Sequence, residues 1–198
     1  MTSMVDDVIG VFNDMIARQQ EEPGEAYVTT VLFSTESSML HDRLPLKDVK
    51  PMTRRDFRVG GGTALMDAVG WTVKHIADIH RYARKEDVPS RTLFVITTDG
   101  MENASRQYNA REIRRLISQQ RREADWEFLF LGANIDAVET ARQYGIPAER
   151  AAQWRADGEG ARCSYDVLSE TVACVRACQA IPKNWSDGMM ATPAEKKD

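Results

Sequence analysis

Apolar residues recur along this chain at two periods, and the two periods alternate. Val5, Val8, Ile9, Phe12 and Ile16 fall three and four apart, which predicts an amphipathic helix over residues 5–20. Asp6 and Asp7 sit in its first turn, where a carboxylate favours the positive end of the helix dipole. Glu21-Glu22-Pro23-Gly24 stops it. Residues 26–33, AYVTTVLF, then read as a strand, and residues 38–44, SMLHDRL, as a second strand after a polar turn. This pair predicts an antiparallel hairpin at a sheet edge. Residues 46–58 form an irregular polar link containing Pro51. Gly60-Gly61-Gly62-Thr63 introduces a second helix over 64–83, which buries Leu65, Val69, Val73, Ile76 and Ile79. The glycines permit backbone angles closed to other residues, and Thr63 suits the N-cap.

The stretch RTLFVITTDGMEN, residues 91–103, lies at the centre of the chain and organises it. Its apolar run Leu93-Phe94-Val95-Ile96 is short and uninterrupted, so it predicts an interior strand buried on both faces of a parallel sheet. A basic amphipathic helix over 109–123 turns Ile113, Leu116 and Ile117 inward and a row of arginines to solvent. WEFLFL, residues 126–131, is another strand, ending at Gly132-Ala133-Asn134. A short helix over 136–144 closes at Gly145-Ile146-Pro147, and residues 151–154 suit a short edge strand. The last helix covers 161–180, with Tyr165, Leu168, Val172 and Val175 inward and Cys174 and Cys178 on the same side. Strands alternating with helices define an α/β fold: a mostly parallel sheet, helices on both faces, one antiparallel edge strand. One domain spans residues 1–181, and residues 182–198 are too polar and irregular to pack, a disordered tail.

Composition narrows the function classes. A net charge of −4 gives no electrostatic reason to expect nucleic acid or an anionic membrane as partner. No apolar run reaches the roughly 20 residues that span a bilayer. The opening MTSMVDDVIG lacks a basic region followed by an apolar one, so no secretory signal is read and a cytoplasmic setting is expected. Cys163, Cys174 and Cys178 are an odd, clustered set and no disulfide framework; buried free thiols in a reducing compartment fit better.

Candidate chemistry centres on Asp99. In open α/β sheets ligands gather at the carboxyl ends of strands. A carboxylate there, on a Gly-containing turn, suits a hard cation such as Mg²⁺; Asp-Gly is equally the signature of a plain turn. Gly60-Gly61-Gly62 is not a phosphate loop, because no Lys-Ser/Thr comes after it. His41, His75 and His80 form no ligand pair at helical spacing. Tyr27, Trp71, Trp126 and Trp154 read as core or edge packing.

Gly62-Thr63-Ala64-Leu65-x-Asp67-Ala68 at a helix start, with a buried strand ending Thr98-Asp99-Gly100 after it, resembles the von Willebrand factor type A domain. The pieces AYVTTVLFS, LHDRLPLKDVKP, GGGTALMDAVG and ITTDGMENAS are similar to a bacterial, cytoplasmic branch of that family, and the resemblance runs from about Val5 to Ala180. It implies a Rossmann-like fold and a metal-ion-dependent adhesion site built from three loops. Thr63 matches the Thr of the second loop and Asp99 the Asp of the third. The first loop, Asp-x-Ser-x-Ser after the first strand, has at most Ser3 here as its last serine. The implied ligands are therefore Ser3, Thr63 and Asp99, with Mg²⁺ held weakly or not at all. Glu102 is a stand-in carboxylate, or else a first-turn helix acid.

The resemblance also implies a central first strand that this sequence lacks. Strands lie about 4.8 Å apart, so its absence opens a gap of roughly 10 Å between its two neighbours. Three outcomes are open: the native start lies upstream, the neighbours close up into a five-stranded sheet, or a partner or second copy donates the strand. The function implied is a non-enzymatic protein-interaction module whose Mg²⁺ takes a carboxylate of a partner protein. The alternatives are a metal-assisted hydrolase or phosphotransferase with Asp99 as ligand or nucleophile, and a degenerate module that binds partners without metal.

Overall fold

The computed structural model describes residues 4–57 and 60–189. The described chain is an α/β fold with five α-helices. In order these are α1 (Met4–Glu21), β1 (Tyr27–Phe33), β2 (Ser37–Pro45), α2 (Leu65–Tyr82), β3 (Leu93–Thr98), α3 (Ala110–Glu123), β4 (Glu127–Gly132), α4 (Ala137–Gln143), β5 (Ala151–Gln153) and α5 (Gly158–Arg176). Short 3₁₀ turns cover Leu46–Asp48, Lys85–Asp87 and Ala148–Arg150. No helix among the described residues is long and apolar enough to cross a membrane.

The strands form two sheets. β3, β4 and β5 run parallel, with Thr98 opposite Gly132 and Gly132 opposite Gln153 at their carboxyl ends. β1 and β2 form a separate antiparallel pair, with Tyr27 opposite Pro45 and Phe33 opposite Ser37. The hairpin is thus real, and it is not the edge of the parallel sheet. Of the three outcomes left open above, the one in which β1 and β3 close up into a five-stranded sheet is not met, since these two strands do not pair.

Helices bridge the break from both sides. Met4, Val8, Val11 and Met15 of α1 and Leu93 and Val95 of β3 pack against one buried cluster, which includes Leu129 and Leu131 of β4 and Leu168 of α5. Ile9, Phe12 and Ile16, on a neighbouring stripe of the same helix, pack with Val28 and Leu32 of β1. On the opposite face, Leu65, Val69, Val73 and Ile76 of α2 join Phe94 and Ile96 of β3 and Phe33 of β1. Full burial of such a side chain contributes about 1.5–3 kcal/mol and partial burial less, so both helices help to hold the two sheets.

The break corrects the reading of β3. In β4, which has neighbours on both sides, Phe128, Leu129, Phe130 and Leu131 are at most 1% exposed. In β3 only Ile96 and Thr98 are buried; Leu93, Phe94 and Val95 are half-buried. An apolar run predicted to be interior lies at a sheet edge, because nothing pairs with its other side.

The carboxyl-terminal stretch is corrected too. Trp185 and Met189 are buried in the cluster of Leu168, Val175 and Ile181, and Trp185 Nε1 donates to the Glu149 carbonyl at 2.8 Å. Two large side chains anchor a segment whose composition alone reads as a disordered tail. The rest of the predicted tail, residues 190–198, lies outside the described residues. The thiols differ as well: Cys163 and Cys174 are half-buried and Cys178 is exposed. Trp126 and Trp154 are core residues, whereas Trp71 and Tyr27 are exposed.

Candidate functional site

The carboxyl ends of β1 and β3 open onto one rim. Three loops meet there: 34–36 after β1, 60–64 before α2, and 99–109 after β3. The backbone ties them together. Ala64 N–H donates to the Ser34 carbonyl at 2.7 Å, and the Thr63 carbonyl accepts from Asn103 and Ala104 N–H at 3.1 and 3.3 Å. Side chains finish the work. Thr35 Oγ1 accepts from Gly62 N–H at 2.7 Å, and Asn103 Oδ1 from Thr63 N–H at 2.8 Å. Gly61 takes φ +82°, and a Cβ there would lie 2.3 Å from Thr35 Oγ1, so only glycine fits this approach.

Thr63 does not cap α2. The N-cap is Ala64, with no side-chain cap hydrogen bond. The first-turn amide of Met66 donates instead to Glu102 Oε2 at 2.8 Å, and that of Asp67 to Ser105 Oγ at 3.0 Å. The cap is supplied from more than thirty residues away, and the Thr63 hydroxyl has no hydrogen-bond partner among the described residues. A Cβ built on Gly100 would lie 3.7 Å from Thr63 Oγ1. Thr63 therefore faces the turn that carries Asp99.

That turn is held by its backbone. Thr98 Oγ1 donates to the Gly100 carbonyl at 3.0 Å, Asn134 Nδ2 to the Asp99 carbonyl at 3.2 Å, and Trp154 Nε1 to the Thr98 carbonyl at 3.3 Å. The Asp99 carboxylate makes no hydrogen bond among the described residues, and Asp99 is half-buried. Ser3, the third predicted ligand, lies outside the described residues.

Two other carboxylates near the rim are fully engaged. Glu102 accepts from Met66 N–H, Ala104 N–H, Ser105 N–H and Ser105 Oγ at 2.7–2.9 Å. Burial pushes its pKa up, but those donors outweigh it and the carboxyl sits below its ordinary value. Asp67 accepts from Arg106, Gln107 and Tyr108 N–H at 2.8–2.9 Å, and its carboxyl is likewise held low by these amides against the cost of burial. Together they pin the 99–109 loop to the start of α2. Glu102 is neither a spare ligand nor an acid of its own helix, because the next helix begins only at Ala110.

The Thr63 hydroxyl and the Asp99 carboxylate, left open among the described residues, are both oxygen donors suited to a hard cation in kind. Only one of them is charged. Among the described residues, no three His, Cys, Asp or Glu side chains converge to hold a metal. Comparison of the chain with family models, with curated proteins and with solved structures finds no match.

Sequence reasoning missed Thr35, Asn103 and Asp67, which position the loops. The one available signal was Asn103 and Ser105 downstream of Asp99-Gly100, a run of short polar side chains given to binding nearby backbone. Their partners lie 27 to 41 residues away and carry no sequence mark.

Proposed function

We propose that this chain is a non-enzymatic protein-interaction module of the von Willebrand factor type A kind, and that its binding surface is the rim carrying Thr63 and Asp99. The order of elements and the break between β1 and β3 support the family reading. The observation that carries the proposal is the pair of oxygen ligands without a hydrogen bond among the described residues, the Thr63 hydroxyl and the Asp99 carboxylate, on loops that Thr35, Asp67, Glu102 and Asn103 tie together. Ser3 is the proposed third ligand. Mg²⁺ at this rim would draw one more carboxylate, that of a partner protein, into its incomplete shell. One protein carboxylate offsets half the ion's charge, so Mg²⁺ alone binds weakly, with a dissociation constant in the millimolar range or above. The exposed Met101 adds an apolar contact beside Asp99.

Among the described residues, the rim carboxylates Glu102 and Asp67 are spent on backbone amides, His75 bonds Asp42 and His41 bonds Thr30. Calorimetry with millimolar Mg²⁺ and a pull-down with and without Mg²⁺ test the reading together. Mg²⁺-dependent capture lost in Asp99→Ala supports the module. Capture that ignores both Mg²⁺ and Asp99 identifies the metal-free variant. Turnover of generic phosphoesters abolished by Asp99→Ala would replace the proposal with the hydrolase.

A further inference from the structure

We propose that the groove between α2 and α3 docks a short acidic segment of a partner protein, anchored by one apolar side chain. The site is separate from the Thr63–Asp99 pair and needs no metal. Its shape follows from small residues on α2. At Gly70 the Tyr108 ring lies against bare backbone, where a Cβ would come within 2.6 Å of it. That ring closes one end of the groove. Val73 and Ala77 of α2 and Leu116 of α3 form its apolar floor. Val73 is fully buried, and Ala77, Tyr108 and Leu116 are half-buried, so the floor is recessed between the two helices.

Size limits the occupant. The groove holds about 240 Å³, below the roughly 300–1,000 Å³ of small-molecule sites. It has room for a side chain or two and not for a cofactor. From Val73 to Arg81 α2 rises about 12 Å, the span of about four extended residues.

Charge names the occupant's chemistry. The whole chain carries −4, yet α3 carries five arginines against two glutamates. Lys74 on the α2 bank and Arg115 on the α3 bank are exposed and have no ion-pair partner among the described residues. Arg111, one turn before Arg115, is exposed in the same way and extends the positive bank. The two acids that line the groove are already engaged. Asp78 pairs with Arg81 at 3.8 Å, and Glu112 accepts from Asn109 N–H at 3.0 Å in the capping box. A segment lying in the groove thus meets open cations on both banks of an apolar floor. Carboxylates flanking an aliphatic side chain complement that arrangement. A bilayer is a poorer match, because a membrane-binding face projects its apolar residues and this one recesses them.

Amide NMR of the isotope-labelled 198-residue chain, without metal, tests the proposal. The probes are end-capped peptides taken to millimolar concentration: Asp-Glu-Leu-Glu-Asp, the same peptide with serine for leucine, and Lys-Lys-Leu-Lys-Lys. The acidic leucine peptide should shift the amides of Lys74, Ala77, Leu116 and Gln119 before any others. The serine peptide should bind at least about fivefold more weakly, and the basic peptide should leave these amides unmoved. Lys74→Glu combined with Arg115→Glu should weaken binding about tenfold or more, and the glutamine pair at the same positions by less. Both side chains are exposed, so either variant keeps the fold. Unmoved groove amides, equal binding of the serine or the basic peptide, or undiminished binding in the glutamate variant would overturn the proposal. Shifts at these amides with anionic phospholipid vesicles but not with peptide would replace it with a membrane face, and shifts that grow with protein concentration alone would replace it with a second copy. Asp99→Ala should bind the acidic peptide like the parent, so failure of the groove and failure of the rim are read separately.

Discussion

Replacing Glu102 by alanine removes the cap of α2 and the clasp of the 99–109 loop at once. Its two oxygens accept from Met66, Ala104 and Ser105 N–H and from Ser105 Oγ, all within 2.9 Å. A hydrogen bond to a charged acceptor contributes about 1.5–3 kcal/mol. The Ala104 and Ser105 amides lie on a loop and turn partly to water after the change. The Met66 amide, in the first turn of α2, has no neighbour to replace the carboxylate. One bond lost outright and the others weakened amount to about 3 kcal/mol. At roughly 3 °C per kcal/mol for a chain of this size, Tm falls by about 9 °C. Glu102→Gln keeps one acceptor oxygen but turns an amide NH₂ toward an N–H, and recovers about half of that loss. The pH dependence has a definite sign. The folded-state pKa lies below the ordinary 4.5, so the contribution is complete above that value and is lost as pH falls through the lower, folded value. Urea unfolding of the parent, the alanine and the glutamine proteins at pH 7 and in acid measures all three. An alanine protein within about 0.5 kcal/mol of the parent at pH 7 would refute the role given to this carboxylate.

Gly61→Ala must adopt a left-handed backbone with its Cβ against Thr35 Oγ1, and should cost about 1–3 kcal/mol with loss of the Gly62–Thr35 hydrogen bond, read by exchange at the Gly62 amide. Trp185→Ala should destabilise by about 3–5 kcal/mol in denaturant unfolding, whereas a disordered tail would give no change. His41 is buried against Thr30 and burial holds its pKa below the ordinary 6.5, so it is neutral in the fold. Its contribution is intact above 6.5 and declines as pH drops below that value, because the unfolded chain takes up the proton first. Unfolding of the parent and of His41→Gln between about pH 7.5 and 5 checks this: the substituted protein should show the flatter profile.

Helices were legible because their apolar stripes answer to a local period. α3 even carries its start in plain sight, with Asn109 and Glu112 forming a reciprocal capping box. The strands were legible as apolar runs, and the Thr63–Asp99 neighbourhood was implied by the family resemblance. Features that depend on partners distant in sequence were not legible. Thr63 stands where a cap is expected, yet Glu102 takes that duty from across the rim. The Leu93–Ile96 run is apolar enough for an interior strand and lies at an edge, because pairing belongs to the sheet and not to the run. Trp185 and Met189 are two anchors in a polar stretch, too few to raise its mean hydropathy and enough to bury it.

If the Thr63 hydroxyl and the Asp99 carboxylate jointly hold an oxygen-seeking divalent ion, the ion's position can be read without a partner protein. Paramagnetic Mn²⁺, standing in for Mg²⁺ with the same preference for oxygen, reports the place of binding directly through broadening of nearby amide resonances. Titration of the isotope-labelled 198-residue chain should broaden Thr63, Asp99 and Gly100 before any other amides, with competition by excess Mg²⁺ and loss of the effect in Asp99→Ala. Broadening that begins elsewhere, at the Asp6–Asp7 pair for instance, or that persists unchanged in Asp99→Ala, would contradict it.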